Sequence, residues 1–404
     1  MRVTHIITRL IVGGAQENTV ASVLGLRQKP DVQVDLISGP STGPEGSLLV
    51  EGRGSRVEGK HSDSRLSTFD ARLIIVPELV RPVHPVKDLL ALRRLEKILW
   101  QTRPQIVHTH SGKAGLLGRL AAARAGVPVI VHTIHGPSFG NFQSAPANFI
   151  FRAAERHAAK VTTHFVSVAD AMTRQYLAAN IGQAGQYTKI FSGFNLAPLL
   201  AATNDLKLRA KFGIEPTDLV IGKIARLFKL KGHDDLIAVA PELVRRFPKI
   251  KFLLVGDGAW RSRFETKIRA LGLEKHFIFT GLVAPDEIPN LTGIMDLLVH
   301  LSSREGLPRA LPIALAAGKP VVAYDCDGAN EVCLNNETGL LVQPGDLAGL
   351  SEGLLQLAND LQLRQHLGGR GREFVKTRFS VEQMVDDLHE LYVRLLKEKE
   401  SPAK

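Results

Sequence analysis

The chain has 404 residues, of which 44% are hydrophobic and 23% charged, and its formal net charge is +11. This length and composition predict two globular domains and exclude a disordered chain, a collagen-like fibre and, with only two cysteines, a disulfide-stabilised miniature. Residues 1–200 hold 23 Lys and Arg against 13 Asp and Glu, whereas residues 201–404 hold 28 against 27, so the two halves carry +10 and +1. The excess favours an anionic partner for the first half, with a basic surface kept for solubility as the alternative.

The chain begins with residues 1–7, which we interpret as a buried strand and not as the apolar segment of an export signal. No run of about 18 apolar residues occurs, so we expect no membrane-spanning helix. The low cysteine content is typical of a reducing compartment and predicts a cytoplasmic protein. No recognition helix, zinc-finger spacing or aromatic-rich pattern is present, and we expect no nucleic-acid partner.

In the first half, short apolar runs alternate with longer helical patterns, as a parallel α/β sheet requires when helices cover both of its faces. The predicted strands are 3–7, 32–37, 74–76, 106–109, 129–133 and 165–168. The helical patterns between them are 16–26, 86–100 and 114–125. Residues 41–72 are rich in Gly, Ser and charge and exceed an ordinary connection in length, which predicts a mobile insertion.

The same alternation recurs in the second half. Its predicted strands are 220–225, 251–255, 277–280, 297–300, 320–323 and 339–342. The predicted domains are therefore 1–197 and 198–379, followed by a helix over 380–404 that can cross back to the first domain. The predicted fold class is α/β, with two doubly wound Rossmann-like domains facing each other across a cleft.

Ligands of parallel sheets bind where the strands end, so the loops after the strands are the candidate sites. After the first strand, Gly13 and Gly14 allow a ligand to approach the backbone closely at a helix start, which suits an anion, although a purely steric turn is the alternative. Four histidines lie at the ends of two later strands: His108, His110, His132 and His135. A zinc site, polar packing and substrate contacts all remain open for them.

The loops of the second half carry the stronger signal. Arg226 and Lys231 follow one strand in a single loop, and a guanidinium and an ammonium there can bind a diphosphate. Glu305 follows another strand just before a predicted helix start, so a carboxylate and backbone N–H groups lie at the same edge. A ligand with a diphosphate and hydroxyls, such as a nucleotide sugar, matches this chemistry.

Two further loops allow other ligands. The stretch Gly256-Asp257-Gly258 lacks the third glycine of a dinucleotide fingerprint, so an NAD site is not expected. Asp325 and Asp327 form either a divalent-cation site on a nucleotide diphosphate or an acidic loop beside the cleft.

Six motifs, taken in order and spacing, resemble those of GT-B glycosyltransferases of family 4, which are retaining enzymes with nucleotide-sugar donors. They are residues 13–15, 132–136, 222–232, 256–258, 303–308 and 317–323, and the resemblance spans nearly the whole chain. It implies that His135 contacts the transferred sugar, that Arg226 and Lys231 neutralise the leaving diphosphate, and that Glu305 binds sugar hydroxyls. The implied donor-binding residues are Gly13, Gly14, Gly256, Val283, Gly306, Leu307, Pro308, Arg309 and Ile313.

The resemblance also implies chemistry without a metal or another cofactor, since the two cations and a helix end do the work of magnesium. Retention is then expected to proceed by attack on the face that the diphosphate leaves, with the departing phosphate taking the acceptor proton. One position departs from the family. The E-x7-E motif would place a second glutamate at Ile313, and its loss predicts weaker or altered donor binding, worth about 1.5–3 kcal/mol if the missing bonds are charge-assisted.

The acceptor that the resemblance implies is a glycan or a lipid-linked sugar, bound by the basic first half. Residues 86–100 combine basic and apolar side chains, which suits an anionic membrane surface at the inner face of the cytoplasmic membrane, unless the apolar side chains face the core. The resulting hypothesis is a retaining glycosyltransferase of polysaccharide or surface-glycan assembly. The alternatives are a nucleotide-sugar epimerase or hydrolase that uses the same cleft, and a non-catalytic relative that binds glycan or a partner enzyme.

Overall fold

The computed structural model describes residues 1–11, 13–41, 72–110, 112–140 and 142–400, which form two compact units. Unit 1 is Met1–Gly193 together with the last helix, and unit 2 is Phe194–Ser380. The sequence analysis placed the corresponding boundaries at residues 197 and 379. Residues 42–71 of the expected insertion lie outside the described residues.

Unit 1 is built on a seven-stranded parallel sheet of order β3-β2-β1-β4-β5-β6-β7. Its strands are β1 (Arg2–Ile7), β2 (Gln33–Ser38), β3 (Leu73–Ile75), β4 (Ile106–His110), β5 (Val129–Ile134), β6 (His164–Ser167) and β7 (Tyr187–Lys189). Its helices are α1 (Gly14–Arg27), α2 (Pro85–Thr102), α3 (Gly112–Arg124), α4 (Ala145–Ala159), α5 (Asp170–Ala178) and α14 (Val381–Glu400). Strand order reverses at β1 and β4, which places the ligand-binding crevice of a doubly wound sheet at their carboxyl ends.

Both faces of this sheet are buried, which explains the almost continuous apolar character of its strands. On one face, Val3 and Ile7 of β1 pack with Met384, Leu388 and other apolar residues of α14. On the other face, Ile6 and Val107 pack with apolar residues of α2 and α3. The last helix is therefore part of the core of unit 1.

Unit 2 repeats the design with a six-stranded parallel sheet of order β10-β9-β8-β11-β12-β13. Its strands are β8 (Leu219–Ile224), β9 (Ile250–Val255), β10 (Phe277–Gly281), β11 (Leu297–His300), β12 (Val321–Tyr324) and β13 (Gly339–Val342). Its helices are α6 (Ala197–Leu200), α7 (Leu206–Lys211), α8 (His233–Arg246), α9 (Arg261–Ala270), α10 (Ile288–Gly293), α11 (Ala310–Ala316), α12 (Leu347–Asn359) and α13 (Leu361–Arg378). Here the order reverses between β8 and β11.

Helix α2 buries one face and exposes another. Ala91, Leu95 and Leu99 are buried, as a helix between two strands requires. Val86 and Trp100 are each 62% exposed, and further apolar and basic side chains of the same helix are exposed as well. Within the described part of the chain, no helix has both the length and the apolar character needed to span a membrane.

Candidate functional site

The loops that follow β8 and β11 meet at the point of unit 2 where strand order reverses. Lys231 Nζ lies 2.5 Å from Glu305 Oε1, although 74 residues separate them in sequence. Their side chains are 22% and 20% exposed, so the pair is sheltered but open to a ligand. His300, the last residue of β11, places Nε2 3.5 Å from the same carboxylate oxygen.

The Glu305 carboxylate is held in its ionised form. Burial alone would raise its pKa, but the neighbouring His300 ring and the charge of Lys231 outweigh burial and lower the pKa well below its usual value. A carboxylate that stays ionised accepts hydrogen bonds and donates none. The pair is therefore suited to bind hydroxyl groups beside an anion.

Backbone geometry fixes the position of Lys231. Gly232 has φ +65°, and a Cβ at this position would lie 2.2 Å from the carbonyl oxygen of Leu301, so a side chain does not fit there. The Ser303 N–H donates to the Leu230 carbonyl oxygen at 3.0 Å. These contacts join the loop after β8 to the loop after β11 and bring Lys231 to Glu305.

A second loop supports Glu305 from the other side. The Glu305 N–H donates to Asp327 Oδ2 at 2.8 Å, and the Gly328 N–H donates to the Gly306 carbonyl oxygen at 3.2 Å. Asp327 thus orders the predicted site loop, whereas the sequence left it as either a cation ligand or part of an acidic loop.

The other predicted residues of unit 2 lie in the loops that follow its strands at the same end of the sheet. Arg226 is exposed in the loop after β8, and Val283 is half-buried in the loop after β10. Gly256 has φ +130°, and its missing Cβ leaves room for the Ala225 carbonyl oxygen, which would lie 2.4 Å away. Gly256 therefore permits the loops after β8 and β9 to pack closely.

The segment after Glu305 leads directly into α11. Gly306, Leu307 and Pro308 are buried, and the Arg309 guanidinium lies 4.6 Å from the centre of the Phe194 ring. Ile313 is a half-buried residue of the seven-residue helix α11, so no acidic side chain stands at that position of the helix.

Two groups near Glu305 escaped the sequence analysis. His300 lies at the carboxyl end of β11, and Lys223 is buried within β8. Burial, together with the charge of Lys231, lowers the pKa of Lys223 to about 7. A histidine that ends a strand could have been noticed, but a single lysine inside a strand gives no sequence signal.

In unit 1, the predicted residues lie at the carboxyl ends of β1 and β5. Gly14 begins α1, and the Gly13 carbonyl oxygen accepts a hydrogen bond from the Glu17 N–H at 2.9 Å. His135 follows β5 and is half-buried, with Nε2 3.0 Å from Nδ1 of His110. His132, within β5, projects from the sheet face opposite to that of His110, and its Nδ1 is 2.9 Å from Thr109 Oγ1.

Among the described residues, one group of three could hold a metal ion. Nitrogen atoms of His5, His108 and His110 lie within 4.8 Å of one another, and all three side chains are buried. Both ring nitrogens of each histidine already lie near a nitrogen or oxygen of another side chain. The group is therefore better described as a hydrogen-bonded network than as a coordination shell.

Two family models match the chain. The model described as "Glycosyl transferase 4-like domain" matches residues 13–188, and "Glycosyl transferases group 1" matches residues 204–374. One match corresponds to unit 1, and the other lies within unit 2.

Similar proteins carry related descriptions. An Escherichia coli protein, UDP-Gal:alpha-D-GlcNAc-diphosphoundecaprenol alpha-1,3-galactosyltransferase, is 27% identical over 332 residues, which are 81% of this chain and 85% of the relative. The capsular polysaccharide biosynthesis glycosyltransferase CapM of Staphylococcus aureus is 24% identical over 83% of this chain and 88% of its own. The solved structure of Anabaena Alr3699/HepE in complex with UDP has a TM-score of 0.78 at 20% identity and covers 98% of this chain and 100% of its own.

Proposed function

This chain belongs to the GT-B glycosyltransferases of the family 4 type, and from that membership we propose that it moves a sugar from a nucleoside-diphosphate donor to a lipid-linked glycan acceptor. The carrying observation is the contact between Lys231 and Glu305 at the carboxyl ends of β8 and β11. A cation can bind the diphosphate, and an ionised carboxylate beside it can accept hydrogen bonds from the sugar hydroxyls. The contact therefore supports the binding of both parts of the donor. Arg226 adds a second cation in the same loop.

The proposed step retains the configuration of the transferred sugar. The bond between the anomeric carbon and the diphosphate oxygen breaks, and the bond to the acceptor oxygen forms on the same face. The acceptor proton passes to the departing phosphate oxygen, so no carboxylate nucleophile is required. Negative charge grows on the diphosphate, and Lys231 and Arg226 stabilise that charge in the transition state.

No step of this scheme requires a divalent ion or another cofactor, so chelation with EDTA should leave turnover unchanged. The Asp327 carboxylate, which is one of the two that could hold such an ion, already accepts the Glu305 N–H. Loss of turnover in EDTA with recovery in Mg²⁺ would instead assign a cation to Asp325 and Asp327.

Donor binding can be measured directly by calorimetric titration of the full chain with UDP-, GDP- and ADP-sugars. Binding by one nucleotide family, with Lys231→Ala much weaker, is the expected result. If no nucleotide sugar binds at millimolar concentration, the isoleucine at 313 has disabled the donor site and the non-catalytic alternative stands. Turnover of donor without acceptor would identify an epimerase or a hydrolase.

The acceptor proposal rests on the relatives and on α2. By its name, the E. coli relative acts on a sugar attached to diphosphoundecaprenol. Long hydrocarbon chains of this kind partition into membranes. On α2, exposed Val86, Leu89 and Leu90 are accompanied by exposed Lys87 and Arg93. Apolar and basic side chains on one helix are the composition of a segment that binds an anionic membrane surface.

Vesicle co-sedimentation tests this surface. The double variant Leu89→Ser/Leu90→Ser should bind phosphatidylglycerol-containing vesicles less than the unmodified chain, and phosphatidylcholine vesicles should bind neither. The control Leu206→Ser/Leu361→Ser removes two leucines of similar exposure from unit 2. Equal loss in both double variants would remove α2 from the proposal.

A further inference from the structure

Lys223 is a buried amine in unit 2 to which the proposed function gives no role. It is the fifth residue of β8 and is 1% exposed, and among the described residues its side chain makes no hydrogen bond or ion pair. By contrast, the buried guanidinium of Arg119 donates to Glu155 and to a backbone carbonyl. That of Arg209 donates to Asp296 and to two backbone carbonyls. An amine that is buried without an acceptor is favoured in its neutral form.

The position of Lys223 on β8 determines which groups surround it. Side chains two apart on a strand share a face, so Lys223 projects on the face of Ile221, which packs in the same apolar cluster as Leu236 of α8. Its neighbour on β9 is the apolar Leu254. Lys223 therefore extends from the end of the core of unit 2 toward the turn that holds Lys231 and the first turn of α8.

Ionisable groups of several elements surround Lys223. They are Lys231 of the loop after β8, His233 and Asp235 of α8, His300 at the end of β11, and Glu305 in the loop after β11. Asp235 accepts a hydrogen bond from the Tyr324 hydroxyl of β12 at 2.8 Å, and Asp234 forms its ion pairs with α9. The carboxylates favour an ammonium at Lys223, whereas burial and the charge of Lys231 oppose it.

In the chain without ligand, these opposing effects leave the amine close to its point of titration. Burial, and then the charge of Lys231, lowers the pKa of Lys223. The carboxylates of Asp235 and Glu305 raise it, and the pKa lies at about 7. At about pH 8 this amine is therefore mostly neutral, whereas an ordinary lysine is charged. The geometry agrees, because an ammonium has three donors and no described group accepts from them.

An anion at Lys231 changes this balance. A diphosphate there compensates the ammonium that opposes a charge on Lys223, and it adds negative charge in the same region. The side chains of Lys231 and Glu305 are only 22% and 20% exposed, so water and salt screen these effects less than they would at an open surface. Both changes favour the ammonium form of Lys223.

We propose that Lys223 is a proton-coupled positioning residue, whose amine takes up one proton from the solvent when a diphosphate binds at Lys231 and returns it when the diphosphate leaves. The inference rests on the proposed function for the identity of the anion, but not for the neutral amine of the chain without ligand. Lys223 is buried behind the contact between Lys231 and Glu305, so it acts on the donor by its charge and not by touching it.

The chain without ligand provides the first test. Lysine ¹³C NMR of the full chain between about pH 6 and pH 10 follows the amines, and the signal that is lost in Lys223→Met belongs to Lys223. Methionine has a similar length and no charge, so the variant should fold. Lys223 should titrate near pH 7, where ordinary lysines remain charged. A Lys223 amine that stays charged up to about pH 9 would overturn the proposal.

Calorimetry provides the second test, because it counts the protons that accompany binding. The full chain is titrated at about pH 8 with UDP-galactose, or with the nucleotide sugar that binds best, in two buffers of different ionisation enthalpy. The diphosphate of a nucleotide sugar stays ionised at this pH and takes up no proton itself. The unmodified chain should take up close to one proton per donor, and Lys223→Met should take up none. Equal uptake by the two chains would refute the role of Lys223.

The pH dependence of donor affinity separates coupling from a merely structural role. The unmodified chain should bind the donor about fivefold more weakly at about pH 8.5 than at about pH 7.5, because binding then requires a proton that is scarcer in solution. Lys223→Met should bind more weakly than the unmodified chain at about pH 7.5 and should approach it as the pH rises. A structural role would instead lower the affinity by the same factor at every pH, and that result would contradict the proposal.

Lys319→Met is the matched control. Lys319 is half-buried, and burial lowers its pKa as it lowers that of Lys223. It lies just before β12, at the amino-terminal end of the strands and therefore away from Lys231. This variant should keep the proton uptake and the pH dependence of the unmodified chain.

The failure of this inference is distinguishable from the failure of the proposed function. Donor binding without proton uptake in the unmodified chain would refute the coupling and leave the proposed function in place. If no nucleotide sugar binds, the proposed function fails and the coupling fails with it, even where the Lys223 amine titrates near pH 7.

Discussion

Lys231 and Glu305 form the contact on which the proposed donor binding depends. Removing the ammonium in Lys231→Ala takes one cation from the diphosphate and leaves the Glu305 carboxylate without its ion pair. A charge-assisted hydrogen bond of about 1.5–3 kcal/mol corresponds to roughly a 10- to 150-fold loss of nucleotide-sugar affinity. Calorimetry measures the change.

The control for this prediction is Lys249→Ala. Lys249 immediately precedes β9 and so lies at the amino-terminal end of the strands, opposite the end that carries Lys231. Its ammonium contacts Thr217 Oγ1 at 3.0 Å. This variant should bind the donor as the unmodified chain does. Equal affinities of the two lysine variants would mean that Lys231 does not bind the diphosphate.

Ile313 gives the opposite prediction. It lies in α11, eight residues after Glu305, at the position that the E-x7-E motif of the sequence analysis would give to a second glutamate. The variant Ile313→Glu should restore hydrogen bonds to the donor and tighten binding about tenfold or more. Ile313→Gln has the same length without the charge and should gain less, and unchanged affinity in both variants would refute a role for this position in donor binding.

Residues within local motifs could be anticipated from sequence, because strand ends and loop positions follow from chain order. Lys231 and Glu305 belong to this class, since each follows a recognisable strand. His5 and Tyr392 do not, because they are 387 residues apart and meet only through sheet register and the return of the last helix. Local patterns carry no information about such a contact.

At the scale of elements, the turn into α8 determines where Lys231 lies. Gly232 and Gly272 have almost identical φ angles of +65° and +66°, but only Gly232 has no room for a Cβ. Gly272→Ala should cost about 1–2 kcal/mol for the left-handed backbone alone, whereas Gly232→Ala should cost roughly 1–3 kcal/mol more for the overlap with Leu301. Thermal unfolding compares them.

The same pair tests the link between turn and function. Gly232→Ala should also weaken nucleotide-sugar binding, because the loop must shift and Lys231 moves with it, whereas Gly272→Ala should bind normally. Equal loss of stability in both variants would show that the turn relaxes without strain.

The elements themselves were largely predictable, since buried parallel strands read as apolar runs between helical patterns. The strand predicted at 165–168 is β6 (His164–Ser167), and that predicted at 320–323 is β12 (Val321–Tyr324), each displaced by one residue. The face that α2 buries was not predictable, because its apolar residues exceed one stripe and the positions of the sheet and of α3 decide which of them face the core.

At the scale of the whole molecule, buried neutral histidines make stability depend on pH. Burial lowers the pKa values of His5, His108, His110 and His132 in the folded chain. Below about pH 6.5 the unfolded chain binds protons that the folded chain does not, so stability is retained above this pH and lost as the pH falls.

Each such histidine contributes about 1.4 kcal/mol per pH unit well below its ordinary pKa. Urea unfolding should therefore show a steep fall in the free energy of unfolding between about pH 8 and pH 5. His5→Gln should make that fall shallower by the contribution of one histidine. A free energy of unfolding that does not change over this range would contradict the buried, neutral state of the histidines.

Acceptor-dependent sugar transfer is the most direct test of the central claim. The full chain is incubated with nucleotide sugars, beginning with UDP-galactose, and with α-D-GlcNAc-diphosphoundecaprenol, and the lipid product is examined by mass spectrometry and by the configuration of its new bond. We expect one added sugar, retained configuration, release of nucleoside diphosphate only when acceptor is present, and loss of product in Glu305→Ala. Nucleoside diphosphate released at the same rate without acceptor, or an inverted product, would contradict the claim.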